Sequence, residues 1–127
     1  MRRDRTERRY YPVVEAGIQT LRGVYSARLL LDSGADCTML PRSFAELAGL
    51  DFDLLPALNV TGIEGRGMKA FKGPLCLEIA GLKLPPIPCL YTASDRTPLL
   101  LGRESFFDLF DIHFDNRHKK LVLTRLF

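Results

Sequence analysis

With 127 residues, 46% hydrophobic and 26% charged, the chain suits one globular domain with a real core, and composition excludes the disordered and fibrous classes. No apolar run approaches the roughly 20 residues that span a bilayer, and the stretch after the basic N-terminus is broken by Pro12, Glu15, Gly17 and Gln19, so no secretion core follows it. The net charge of +3 sits wholly in residues 1–9, where five arginines face Asp4 and Glu7, while the other 13 Lys/Arg and 13 Asp/Glu cancel. A nucleic-acid-binding domain carries its basic stripe on the folded surface, so the expectation is no nucleic-acid requirement, no membrane, and a solvated tail at residues 1–10 ahead of a domain at 11–127. A weak contact of that tail with RNA or an acidic partner is the alternative.

Short apolar runs punctuated by Gly and Pro predict an all-β domain. Residues 13–18 read as a first strand, and 24–31 as a second that runs straight into Asp32-Ser33-Gly34. Residues 37–40 continue as a third. One helix follows over 41–49, with Pro41 at its first position, Phe44, Leu47 and Ala48 on one face and Gly49 as its stop. Strands at 58–61 and 68–71 flank the glycine-rich 62–67, which predicts a hairpin with a mobile tip. Further strands are expected at 74–79 and 87–91, separated by Pro85-Pro86, and an apolar one at 99–101 ending on Gly102. A second helix is expected over 104–110, with Phe106, Leu109 and Phe110 on one face. The chain closes with a hairpin of 111–114 and 121–126.

Cys37, Cys76 and Cys89 are odd in number and form no close pair. A disulfide framework is therefore not expected, and a reducing, cytoplasmic location is. His113 and His118 have no Cys or carboxylate at zinc-ligand spacing, so neither a metal nor a cofactor is expected.

The segment that carries chemistry is Leu30-Leu31-Asp32-Ser33-Gly34-Ala35-Asp36. Asp-Ser-Gly alone is an ordinary turn composition, and Asp-Ser/Thr-Gly arises by chance in about one chain in twenty of this length. Its context separates the readings. Apolar runs feed it from both sides, Leu29-Leu30-Leu31 before and Met39-Leu40 after, which would set Asp32 at the floor of a buried cleft.

These residues resemble a family. Leu-Leu-Asp-Ser-Gly-Ala-Asp at 30–36, the helix at 41–49, the glycine-rich hairpin at 61–67 and Leu100-Leu101-Gly102-Arg103 before a helix occur in the order found in retropepsin-like aspartic peptidases. These are single-domain relatives of retroviral proteases, among them the protease domain of DNA-damage-inducible ubiquitin shuttles, and the closing segment looks more like the cellular and bacterial members. The resemblance covers about residues 11–126 and implies a compact β-barrel with two short helices and a hairpin flap. It implies an aspartic endopeptidase with Asp32 as catalytic carboxylate and a peptide or protein as substrate. Such chemistry needs two facing carboxylates that share one proton. The chain holds only one Asp-Ser/Thr-Gly, so the active species would be a homodimer with Asp32 and its mate on the two-fold axis.

By the same resemblance Ser33 would hydrogen-bond across the axis and Gly34 would present backbone to substrate. Ala35 stands where many pepsin-like enzymes have a hydroxyl donor to the catalytic carboxylate. Its lack makes the ionised form less favoured, which implies activity at weakly acidic to neutral pH. Gly62, Ile63, Glu64 and Gly65 would form the flap over substrate. Asp36 and Arg103 would form an ion pair linking the catalytic loop to the Leu-Leu-Gly strand. Tyr11-Pro12 is an aromatic-proline step of the kind retroviral enzymes cut, which raises self-trimming of the tail. From another functional class, a dimeric peptide-binding or regulatory module would keep the fold and cleave little; a protease segment of a retroelement polyprotein is a third reading.

Overall fold

The computed structural model describes residues 12–61 and 67–127. Strands β1 (Val13–Thr20) and β2 (Gly23–Leu31) form an antiparallel hairpin in register from Val13↔Leu30 to Thr20↔Gly23. Gly23 closes it at φ 116°, a conformation open to glycine and costly for most side chains. Along β2 the residues Ala27, Leu29 and Leu31 alternate into the core, and β1 contributes Val14, Ala16 and Ile18 from the facing positions. Strand β3 (Thr38–Pro41) leads into helix α1 (Arg42–Leu47). Pro41 is the extended N-cap (φ −61°, ψ 152°) and last residue of β3, not the first helical position, because it pairs with Thr92 in the sheet. Gly49 stops the helix at φ 76°, as expected.

A 3-10 turn at Phe52–Leu54, capped by the Asp51 carboxylate accepting from the Asp53 N–H at 2.9 Å, was not anticipated. Strands β4 (Ala57–Thr61) and β5 (Gly67–Leu75) then pair antiparallel, while the tip with Gly62, Ile63, Glu64 and Gly65 lies outside the described residues. The single strand expected over 74–79 is two. The chain breaks at Cys76 because β5 pairs with β8 (Ile87–Thr92), whereas β6 (Leu77–Ile79) pairs with β1 and with the short β7 (Leu82–Lys83). After β9 (Leu100–Leu101), the second helix is only one turn, α2 (Phe106–Leu109). Phe110 is extended (φ −142°, ψ 142°) and starts β10 (Phe110–Asp115), which pairs with β11 (Lys120–Arg125). Phe106 and Phe110 do pack together, at 5.3 Å between ring centres, but across a helix-to-strand junction.

The main sheet runs β4-β5-β8-β3-β9-β2-β1-β6-β7, and β10-β11 form a separate two-stranded sheet. Most pairings are antiparallel. The exceptions, β2·β9 and β3·β8, are parallel and meet around the loop that joins β2 to β3. Leu29, Leu40, Leu101, Phe106 and Tyr91 are among the most deeply buried large side chains of the core. The all-β expectation with two short helices holds.

Candidate active site

The Asp32 loop leaves β2 at Leu31, whose side chain is buried and whose N–H donates to the Pro12 carbonyl at 2.8 Å. The Asp32 N–H donates to the Leu101 carbonyl at 2.9 Å, fixing the residue against β9. Beyond it the chain turns back on itself: the Gly34 N–H donates to Asp32 Oδ1 at 2.9 Å, and the Ala35 N–H to the Asp32 carbonyl at 3.1 Å. This is the Asx-type turn that Asp-Ser-Gly favours. Here it holds the carboxylate in place while Ser33 and Gly34 face solvent and Asp32 stays half-buried.

Strand β9 is inserted between β2 and β3, parallel to one and antiparallel to the other. Its continuation stitches the far side of the loop: the Arg103 N–H donates to the Ala35 carbonyl at 2.9 Å, and the Glu104 N–H to the Asp36 carbonyl at 2.8 Å. Just before these stitches Gly102 passes so close to Cys37 that a side chain would overlap the Cys37 carbonyl. Its N–H donates to the Thr38 hydroxyl at 3.0 Å, and Thr38 is fully buried. Leu-Leu-Gly-Arg thus works as a backbone splint for residues 32–38.

The Asp36–Arg103 ion pair is not made. Arg103 places its guanidinium 5.3 Å from the centre of the Phe107 ring, and the main chain makes the link expected of the side chains. The side chain that does reach the loop is Glu104. Its Oε1 accepts from Cys37 Sγ at 3.6 Å, and its Oε2 meets Lys72 Nζ at 3.5 Å. Partial burial pushes the Cys37 thiol up from its ordinary range, and the neighbouring Glu104 carboxylate adds to the rise. Asp36, Arg103, Glu104, Ser105, Phe107 and Asp108 line a shallow depression of about 440 Å³ beside the loop. Among the described residues no His, Cys, Asp and Glu cluster suits a metal ion, and no described helix is long and apolar enough to cross a membrane.

Of the residues singled out by the sequence, the structure gathers Asp32, Ser33, Gly34, Ala35, Asp36 and Arg103 at one loop. Gly62, Ile63, Glu64 and Gly65 lie outside the described residues. Thr38, Lys72 and Glu104 escaped sequence reasoning. Thr38 had a weak signal, a hydroxyl in an otherwise apolar strand; Lys72 and Glu104 had none, since they are 32 positions apart.

A family model described as aspartyl protease matches residues 19–105, which include the Asp32 loop, the β4–β5 hairpin and the β9 splint. The chain belongs to the aspartyl protease family. Solved structures place this aspartyl protease chain in the retropepsin-like fold. The EIAV protease complexed with the inhibitor HBY-793 is 21% identical with a TM-score of 0.59, covering 78% of this chain and 88% of its own. A retropepsin-like aspartic protease from Rickettsia conorii is 22% identical with a TM-score of 0.62, covering 89% and 88%. The retroviral protease-like domain of Ddi1 from Leishmania major is 16% identical with a TM-score of 0.65, covering 94% and 96%. Comparison with curated protein sequences gave no match.

Proposed function

We propose that this aspartyl protease family member is an endopeptidase active as a homodimer, in which Asp32 and the Asp32 of a second copy activate a water. The observation that carries this reading is the placement of Asp32. Its carboxylate accepts from the Gly34 N–H and its backbone is held by Leu101, while the adjoining Ser33 and Gly34 are exposed to solvent. One carboxylate so held is half of an acid–base pair. Two of them close together share one proton, so that one side chain takes a proton from water while the other protonates the peptide carbonyl.

In this reading Ser33 bonds across the two-fold axis, Gly34 presents backbone to an extended, largely apolar peptide, and Gly62, Ile63, Glu64 and Gly65 close over it. The terminal hairpin suits the second copy. Among the described residues neither outer edge of the β10–β11 sheet has a partner strand, and Phe114, Val122, Leu126 and Phe127 are each at least 42% exposed. Unpaired edges and exposed apolar side chains on a short sheet are the features that association of two copies would cover.

The test is a peptide-library digest by wild type beside Asp32→Asn at pH 3 to 8, with and without a statine-type inhibitor. The expected result is inhibitor-sensitive cleavage, absent in Asp32→Asn and maximal at weakly acidic to neutral pH. An optimum near pH 2 contradicts the reading of Ala35. No Asp32-dependent cleavage at any pH favours a dimeric peptide-binding or regulatory module instead.

A further inference from the structure

Cys37 is the last residue of the Asp32 loop before β3, and Lys72 lies in the middle of β5, a strand that is not a neighbour of β3. In the sheet β8 lies between β5 and β3, and Lys72 and Met39 flank the same residue, Leu90. Glu104 spans this gap. Its N–H is bonded to the Asp36 carbonyl at 2.8 Å, Oε1 accepts from Cys37 Sγ at 3.6 Å, and Oε2 meets Lys72 Nζ at 3.5 Å. One residue therefore touches both ends of the candidate machinery: the exit of the Asp32 loop, and the strand that begins at Gly67 where the glycine-rich hairpin tip ends. The Lys72–Glu104 pair is about 40% exposed on both sides. Such a pair contributes little to folding stability, and a thiol is a weak donor, so global stability does not explain the arrangement. A role in geometry does.

We propose that Glu104 is a positioning residue, whose carboxylate clasps Cys37 and Lys72 and so holds the Asp32 loop in register with the strand that carries the hairpin tip. The effect on rate rests on the proteolytic reading; the clasp itself does not.

The variants are Glu104→Ala, Glu104→Gln and Lys72→Met, each also in a Cys76→Ser background so that Cys37 is the accessible thiol. The first readout is alkylation of Cys37 by iodoacetamide at pH 7.5, followed by peptide mass spectrometry. Glu104→Ala should react about fivefold faster than wild type, since the group that accepts the S–H and opposes the thiolate is gone. Glu104→Gln should fall between them, because an amide oxygen still accepts. The second readout is steady-state cleavage. Glu104→Ala should lose about tenfold in kcat with KM within about twofold, and Glu104→Gln should recover part of it.

An unchanged alkylation rate in Glu104→Ala overturns the clasp. A faster rate with wild-type kcat overturns the positioning role. A loss of kcat that tracks a collapse in Tm and is not eased by Gln shows a structural role only, and also overturns it. If wild type cleaves nothing, it is the proteolytic reading that fails, and the alkylation series together with amide hydrogen exchange at residues 36–37 still decides whether Glu104 holds the loop.

Discussion

Gly102→Ala isolates the splint that fixes the Asp32 loop. A methyl group there would overlap the carbonyl carbon and oxygen of Cys37 and stand 2.8 Å from its nitrogen. The obstacle is backbone on both sides, so no side-chain rotation relieves it, and the two segments must move apart. Overpacking of this kind costs about 1–3 kcal/mol. Separation also stretches the bonds from Gly102 N–H to the Thr38 hydroxyl and from Arg103 N–H to the Ala35 carbonyl, each contributing about 1 kcal/mol. The expected loss is therefore about 3–5 kcal/mol, or roughly 10–20 °C in Tm for a chain of this size. Gly67→Ala is the control, since no described residue lies within 4 Å of its added methyl and its φ is not in the left-handed region. Thermal unfolding by circular dichroism at one fixed protein concentration compares the variants without a mass-action artefact. A Gly102→Ala protein melting within about 2 °C of wild type would refute the close approach on which this account of the loop depends.

Three further outcomes follow from named contacts. Thr38→Val keeps the shape but strands the buried Gly102 N–H, so urea unfolding should show a loss of about 1–3 kcal/mol; an unchanged midpoint means the hydroxyl is not that donor's partner. Among the described residues the Arg103 guanidinium meets Phe107, so for Arg103→Ala the expected loss is about 0.5–1 kcal/mol, with sedimentation unchanged; disappearance of a dimer would reinstate the ion pair with Asp36. The three thiols should react with a maleimide in the order Cys76, Cys37, Cys89. Cys76 leads because it is exposed; desolvation pushes the Cys37 thiol up and the buried Cys89 thiol up much further, so Cys89 forms less thiolate than Cys37 and is the least accessible. Labelling of Cys89 ahead of Cys37 in the folded protein would overturn it.

The parts of this fold that were legible in sequence are those fixed by local chemistry. Alternation of Ala27, Leu29 and Leu31 marks β2, Asp32-Ser33-Gly34 marks the turn after it, and Gly49 marks the end of α1. The misjudged elements were decided by distant partners. Residues 74–79 read as one strand until β1 and β8 divide them at Cys76. Phe110 has helical spacing from Phe106, yet its pairing with Arg125 makes it a strand. In the candidate site, the resemblance located the loop and the Leu-Leu-Gly-Arg segment, but assigned their connection to Asp36 and Arg103. The backbone makes that connection, and the side-chain hydrogen bond to the loop's exit comes from Glu104. A carboxylate one residue beyond Arg103 gives no periodic or motif signal of its own; only the fold brings it to Cys37 and Lys72.

The central claim is that one chain supplies half of the catalytic pair. Mixing wild-type protein with Asp32→Asn protein, at constant total concentration and after exchange of subunits, tests it most directly by the rate of peptide cleavage. If both Asp32 carboxylates are needed, mixed dimers are inactive and activity falls as the square of the wild-type fraction, leaving roughly a quarter at equal proportions. Activity that simply tracks the amount of wild-type chain, or cleavage by Asp32→Asn protein alone, would contradict the claim.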